Sequence, residues 1–463
     1  MPEHFDAIII GAGQAGPALA ARLSGAGWHV ALVERHLFGG TCVNTGCTPT
    51  KALVASARVA HQARRAADFG ITIGGPVSVD FPSVMARKDR IAGSSAANVE
   101  CWVRGLKDTT VVHGHARLDG PQRVRVGQRE LESDRIFLDV GGRAAIAPMQ
   151  GIADVPLLTN SSLLALKELP EHLLVVGGSY VGLEFAQMFR RFGAQVTVFE
   201  RAARVISRED PDVSQAVHDL LAGEGVDLRV GSECMAFRME GQQIRARARC
   251  GDDEPEALCS HVLVATGRRP NTDDLGLDTA GVKTDARGFI EVNDFLETSV
   301  PGIWALGECN GRGAFTHTTW NDYEIVAANL LDGLANQNRR RVSDRILTYA
   351  LFTDPPLARV GLSVQQAKDS KRPTLIGERP MRRVSRAVEK GEEYGFLRVL
   401  VDAESKQLVG ATLLGVEADE AIAALSTLMY AKAPISVLQR SVQIHPTVSE
   451  LLPTVLGELK PLE

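Results

Sequence analysis

Two stretches of the chain repeat one pattern of apolar and polar positions. Ile8 to Arg35 reads IIIGAGQAGPALAARLSGAGWHVALVER, and Leu174 to Arg201 reads LVVGGSYVGLEFAQMFRRFGAQVTVFER. They align without a gap at an offset of 166 residues, placing Gly11 on Gly177, Gly16 on Gly182, Ala20 on Ala186, Gly27 on Gly193 and Glu34 on Glu200. Each copy starts as a short apolar run, which predicts a buried strand. It then turns at glycines into a helical stretch, stops at a glycine and ends in a second apolar strand closed by an acid. Further on, Phe396 to Val401 and Gln407 to Leu414 read as strands, and Glu417 to Lys432 as helical pieces.

Strand, glycine turn, helix, strand and acid, in that order, make the βαβ dinucleotide fingerprint. Its glycines let the backbone approach a pyrophosphate. The pyrophosphate then rests on a helix N-terminus, where unpaired N–H groups and the helix dipole favour negative charge. The acid accepts from a ribose hydroxyl. In the second copy Ser179 replaces the middle glycine, which makes close pyrophosphate approach harder there. Glu34 and Glu200 both favour a free 2′-hydroxyl, so NADH is expected over NADPH at the second site, although Arg201 and Arg204 stand near enough to meet a 2′-phosphate.

Between the repeats lies GGTCVNTGCTPTK, Gly39 to Lys51. Thr48 is a good N-cap and Pro49 a good first helical residue, so the spacing predicts a helix from there to Ala67. Cys47 then sits at the positive end of a dipole with Lys51 one turn on, which lowers its pKa and makes it reactive. Two buried thiols or a metal site are the alternatives. A metal would need further ligands at close spacing, none follows, and no resident metal is expected. Near the C-terminus, Ser441 to Glu450 contains His445-Pro446-Thr447. With Pro446 as a first helical residue, His445 lies outside the helix, free to turn toward Glu450. A carboxylate there orients an imidazole and raises its basicity.

Composition narrows the partners. At 463 residues, with about 100 to 200 residues per domain, the chain should hold three domains. A formal charge of -5 and a pI near 6.2 argue against nucleic acid or an anionic membrane as partner, and Arg339-Arg340-Arg341 reads as a solvated loop between domains. No run approaches the roughly 18 apolar residues of a membrane span, and no basic leader precedes the first strand, so a cytoplasmic location is expected. Seven cysteines, mostly scattered, do not form a secreted disulfide framework.

The cysteine segment and the two fingerprints together resemble the class I pyridine nucleotide-disulfide oxidoreductases, the family of glutathione reductase, dihydrolipoamide dehydrogenase and mercuric reductase. The resemblance covers essentially the whole chain. It implies an α/β fold with two Rossmann-like dinucleotide-binding domains and a C-terminal α+β dimerisation domain. The implied divisions are an FAD domain over 1–149, an NAD(P) domain over 150–274, a second FAD or central part over 275–342 and an interface domain over 343–463.

It also implies that FAD is bound by Gly11, Gly13, Gly16, Glu34, Gly40, Thr41 and Lys51, with Gly114 and Ala116 of His113-Gly114-His115-Ala116 near the adenine. Gly141, Gly307 and Glu308 join them, Glu308 standing where the family usually has Asp. The nicotinamide cofactor falls to Gly177, Gly182, Glu200, Gly267 and Arg268, with Tyr180 as the ring over its pocket. Lys51 and Glu184 match the family's ion pair beside the flavin. Cys42 and Cys47 become the redox pair, Cys47 proximal and Cys42 the exit thiol. His445 and Glu450 become the acid-base pair that one subunit inserts into its partner, so a homodimer is implied.

The cysteine loop and Ser179 lean toward the mercuric reductase-like branch, which includes a reactive-chlorine-resistance flavoprotein that reduces cupric ions. Cys309 is the last cysteine, so the C-terminal cysteine pair of mercuric reductase is missing. The resulting expectation is an NAD(P)H oxidoreductase acting on a metal ion or a small disulfide in oxidative or metal stress. Dihydrolipoamide dehydrogenase is the alternative, and an FAD-binding redox sensor with little turnover is the alternative of another class.

Overall fold

The computed structural model describes residues 1–250, 253–333 and 338–463. The first repeat seeds a five-stranded parallel sheet in the order Ile303–Ala305, Ile136–Leu138, Ala7–Ile10, Val30–Glu34 and Thr109–His113. A parallel sheet is covered on both faces, so its strands carry apolar residues throughout, and every residue of Ala7–Ile10 and Val30–Glu34 is buried. Leu19 and Leu23 of the Gly16–Gly25 helix pack on one face with Ile325 and Val326 of the Thr316–Leu331 helix. Val124, Val126 and Leu131, from an antiparallel sheet inserted between Thr109–His113 and Ile136–Leu138, close the other.

The second repeat does the same. Its sheet runs Leu157–Leu158, His261–Val264, His172–Val176, Gln195–Phe199 and Asp227–Arg229, all parallel. The Tyr180–Phe192 helix covers one face, and the antiparallel strands Ser232–Glu240, Gln243–Cys250 and Glu256–Cys259 cover the other. In both sheets the fingerprint strand is central, at the point where strand order reverses. The crevice beyond the strand ends at such a switch point is where α/β folds bind ligands.

The C-terminal part is a six-stranded antiparallel sheet in the order Thr348–Leu351, Leu357–Gly361, Leu408–Leu414, Phe396–Asp402, Thr374–Pro380 and Lys460–Pro461. The Ala418–Tyr430 helix packs on it through Ile422 and Leu425 against Val399 and Leu413. No helix among the described residues is long and apolar enough to cross a membrane. The Arg339–Arg341 run is tied down rather than free: Arg339 pairs with Glu297 at 3.0 Å and lies 3.8 Å from the Phe295 ring centre, and Arg340 reaches Glu324 at 3.3 Å.

Three local expectations are corrected. The helix after the cysteine segment spans Cys47–Arg64, with Gly46 as N-cap; Thr48 and Pro49 lie inside its first turn, and Ala66–Phe69 is a separate 3-10 turn. Glycine wins the cap because a Cβ at position 46 would stand 2.8 Å from the Thr41 carbonyl oxygen. Cys42 lies in a short helix of its own, Gly40–Asn44, not in a loop. Pro446 starts no helix: it follows a cis peptide bond in a bend, and helical structure resumes at Ser449–Leu451 and Leu452–Val455.

Candidate active site

The two switch points open into one cleft of about 2630 Å³, well beyond the roughly 300–1,000 Å³ that holds one small ligand. Its walls include Gly11, Gly13, Glu34, Gly40, Thr41, Gly114, Ala116, Gly141 and Glu308 from the first dinucleotide domain. Gly177, Tyr180, Glu200, Gly267 and Arg268 come from the second, and Cys42, Cys47, Lys51 and Glu184 lie between them. Gly16, Gly182 and Gly307 sit behind the wall. A Cβ on Gly16 would be 2.1 Å from the Gly11 carbonyl oxygen and one on Gly182 1.9 Å from that of Gly177, so these two let each helix pack against its own turn. Bare glycine backbone on the wall, helix N-termini aimed into the cleft and room for two long ligands together fit a pair of dinucleotides.

Both acids are pinned by their own loops. Glu34 accepts from the Ala12 N–H at 2.8 Å and the His36 N–H at 2.7 Å. Glu200 accepts from the Gly178 N–H at 2.5 Å and the Ala202 N–H at 2.6 Å. Glu308, the longer acid, is drawn into a two-point pair with Arg268 at 2.6 and 2.9 Å, and Arg268 also donates to the Gly142 carbonyl at 2.7 Å.

Cys42 and Cys47 face each other as free thiols in hydrogen-bond contact. Cys47 is the first residue of its helix, and the Thr316 hydroxyl lies 3.2 Å from its sulfur. The hydrogen bond from Cys42 lowers the Cys47 pKa most; burial opposes it, and Thr316 and the Lys51 ammonium lower it further. Cys42 moves the other way, chiefly because its proton is held by Cys47, and burial adds to the rise. The pair is therefore polarised: thiolate at 47, thiol at 42.

Lys51 donates to Glu184 at 2.8 Å and lies 4.5 Å from the Phe352 ring centre; the other Glu184 oxygen accepts from the Phe352 N–H at 2.9 Å. Tyr180, one helical turn before Glu184, packs edge-on against Tyr349 and Phe315 at 5.5 and 6.2 Å. His445 and Glu450 pair as expected, at 2.9 Å, but away from the cleft of their own chain, with the His445 side chain 74% exposed.

Sequence reasoning missed Thr316, Asp139, Glu209 and Tyr349. Asp139 had a readable signal, an acid at the end of the apolar run Ile136-Phe137-Leu138 just before Gly141-Gly142, where α/β strands meet their ligands. Thr316 had a weaker one, a hydroxyl opening a helix after a glycine-rich turn. Nothing local marks Glu209 or Tyr349.

Residues 5–322 match the family described as pyridine nucleotide-disulphide oxidoreductase, and residues 347–456 match its dimerisation domain. The chain is 33% identical to the probable pyridine nucleotide-disulfide oxidoreductase RclA of Escherichia coli, covering 99% of this chain and 100% of that one. It is 33% identical to the mercuric reductase of Streptomyces lividans, with 97% and 94% covered. With the dihydrolipoyl dehydrogenase of Chlamydia muridarum it shares 31% identity, with 97% and 96% covered. The fold superposes on the Cu(II) complex of the HOCl-induced flavoprotein disulfide reductase RclA from Escherichia coli with a TM-score of 0.89, at 31% identity and 99% of each chain. The chain belongs to the pyridine nucleotide-disulphide oxidoreductases, FAD- and pyridine-nucleotide-binding enzymes with a redox-active disulfide, and within them to the flavoprotein disulfide reductases of the RclA and mercuric reductase branch.

Proposed function

We propose that this enzyme uses NADH, in preference to NADPH, to reduce a metal ion of the Cu(II) or Hg(II) type, or a small disulfide, as part of defence against oxidative or metal stress. In this enzyme residues 1–149 and 275–342 hold the flavin, 150–274 hold the nicotinamide cofactor and 343–463 form the interface domain. The observation that carries it is the dithiol itself, Cys42 and Cys47 together with the Thr316 hydroxyl 3.2 Å from the Cys47 sulfur and Lys51 on the same cleft wall, in one cleft with both fingerprints. The Cu(II) complex of the related RclA supports the metal-ion reading.

When bound, FAD supplies the relay by which a hydride equivalent from the nicotinamide becomes an electron pair for the Cys42–Cys47 disulfide. The residues of this chain do the rest. Glu200, holding its own loop, offers its carboxylate edge to a ribose diol and repels a 2′-phosphate. The Lys51–Glu184 pair fixes a positive charge beside Cys47, stabilising the thiolate once the disulfide opens. Cys42 is the thiol that meets the acceptor, and an attacking thiol is best matched when its pKa lies near ambient pH. Its own pKa is raised here, so a base must take its proton. His445 of a second copy, oriented by Glu450, is that base in the proposed homodimer. A disulfide acceptor consumes one proton with each NADH; two cupric ions reduced to cuprous release one.

Steady-state NADH and NADPH oxidation against Cu(II), Hg(II), oxidised lipoamide, oxidised glutathione and dioxygen tests the reading. Acceptor-dependent turnover is expected with Cu(II) or Hg(II) or a small disulfide, and Cys42→Ser should abolish it while the flavin stays bound. Full activity in that variant would show that Cys42 is not the exit thiol. Turnover with oxidised lipoamide, but with neither metal ion nor oxidised glutathione, would favour the dihydrolipoyl dehydrogenase reading, which the 31% identity to that enzyme supports. No acceptor-dependent turnover at all would point to a flavin-binding sensor.

A further inference from the structure

The Tyr180 hydroxyl is not free in the cleft. It donates to Glu209 Oε1 at 3.0 Å, and Tyr349 donates to the same oxygen. The second oxygen, Oε2, accepts from Arg359 Nη1 at 2.9 Å. Glu209 and Arg359 are each only 2% exposed. A carboxylate this deep is stable only when paired and hydrogen-bonded, and here every partner is a named side chain. Arg359 is itself fixed, donating to Gln366 at 2.9 Å. The next residue, Asp210, accepts from the Val364 and Gln365 N–H groups at 2.9 and 3.0 Å, so the Glu209 loop is clamped to the C-terminal domain.

Tyr349 and Arg359 lie on neighbouring strands of the C-terminal sheet, Thr348–Leu351 and Leu357–Gly361. Tyr180 opens the helix of the second repeat. The anchor of the cleft-facing tyrosine is thus built largely by the domain that carries the dimerisation match.

We propose that Glu209 is the latch of the Tyr180 lid, a positioning residue anchored by Arg359 and shared with Tyr349, which sets how readily a nicotinamide displaces the ring. This rests on the reading above that Tyr180 covers the nicotinamide pocket. Entry requires the ring to leave, and leaving breaks a hydrogen bond to a buried carboxylate, so latch strength is subtracted from nicotinamide affinity. Two deletions of a hydroxyl from this one cluster then have opposite signs. Tyr180→Phe removes the latched bond and eases opening. Tyr349→Phe removes the competitor on Oε1 and the 3.4 Å contact that Tyr349 accepts from Arg359 Nη1, so Arg359 turns wholly to Oε2 as counter-ion and Oε1 is left to Tyr180, which tightens the latch.

Calorimetric titration of the flavin-loaded enzyme with NAD⁺ and with NADP⁺ tests this, with melting temperatures confirming that each variant is folded. Tyr180→Phe should bind the preferred nucleotide about tenfold more tightly, the value of one charge-assisted bond, and Tyr349→Phe should bind it more weakly, by about twofold to threefold. Tyr180→Ala separates the two levels of the argument. If Ala changes affinity but the two Phe variants move together or not at all, the lid stands and the latch is overturned. If none of the three changes affinity, Tyr180 does not cover the pocket, and the reading beneath the latch fails with it.

Discussion

The two dinucleotide repeats share the backbone of their glycine turns and differ in the side chain that lies beneath each turn. Gly11 and Gly177 both take positive φ, +111° and +116°, and a Cβ on either would strike a carbonyl oxygen on the adjoining strand, that of Asp139 at 2.1 Å and that of Ala265 at 2.4 Å. Asp139 and Ala265 are therefore structural counterparts. The acids match to the atom: Ala12 and His36 hold Glu34, and Gly178 and Ala202, each 166 positions later, hold Glu200. Asp139 is the difference. Its carboxylate accepts from the Gly16 N–H at 2.8 Å and lies where a side chain on Gly13 would project, 3.0 Å from the Cβ position. Opposite Ser179 the second repeat has only the alanine methyl. The departure from the glycine pattern is thus an exchange of volume: the repeat with a carboxyl beneath its turn needs glycine there, and the repeat with alanine accommodates serine, exposed on the cleft wall.

If the repeats serve separate cofactors, breaking the same contact in each should give separable losses. Gly16→Ala and Gly182→Ala force a methyl to within about 2 Å of the preceding turn's carbonyl, and each helix must shift by an ångström or so, enough to cost about 100-fold in a positioned site. Gly16→Ala is expected to purify with little flavin. Gly182→Ala should keep its yellow absorbance but lose about 100-fold in the second-order rate of NADH-driven bleaching. Flavin-to-protein absorbance ratios and anaerobic stopped-flow bleaching read the two. Equal flavin loss in both variants would mean that the repeats do not bind their cofactors independently.

The contrast also marks what a sequence can disclose. The βαβ repeats were legible because everything that defines them lies within 28 consecutive residues, Ile8 to Arg35, and backbone sterics dictate the glycines. The His445–Glu450 pair was legible for the same reason, although its bend was misread: a proline suits a helix start and a turn equally. Gly46 as helix cap escaped because the reason for it, the Thr41 carbonyl 2.8 Å from a would-be Cβ, exists only once the Gly40–Asn44 helix has folded back. Thr316 beside Cys47 is 269 residues away in sequence and Tyr349 beside Glu209 is 140. Such contacts belong to topology, and no local pattern encodes them.

A reciprocal swap sharpens the volume argument. Gly13→Ser should weaken FAD binding by about tenfold or more, because the new side chain meets the Asp139 carboxyl, 3.0 Å from the Cβ position. Adding Asp139→Ala, which reproduces the second repeat, should recover most of that loss. Ser179→Gly should cost only a few tenths of a kcal/mol, since Ser179 makes no side-chain cap bond and glycine is a tolerable N-cap. Flavin release followed by fluorescence and nucleotide titration measure both arms. Failure of Asp139→Ala to rescue Gly13→Ser would show that volume beneath the turn is not what distinguishes the repeats.

A pH titration isolates the charge of Asp139 from its size. Burial pushes this carboxyl up to about 8, against the lowering by the Gly16 N–H, and Glu34 and Asp322 add repulsion. In the unfolded chain it titrates near 3.9. Between these values the folded protein holds a proton that the unfolded chain has released, so this group's contribution to stability is complete below about pH 4 and is lost as pH rises toward 8, at up to about 1.4 kcal/mol per pH unit. Asp139→Asn keeps the shape and an acceptor for the Gly16 N–H but has nothing to ionise. Its melting temperature relative to the parent should therefore rise between pH 5 and pH 8 and level off above. The Cys47 thiolate is common to both proteins and cancels in the difference. A difference in melting temperature that stays flat from pH 5 to 9 would mean that Asp139 is ionised throughout. The first turn would then bind its pyrophosphate over a standing negative charge that the second turn, with Ala265, never meets.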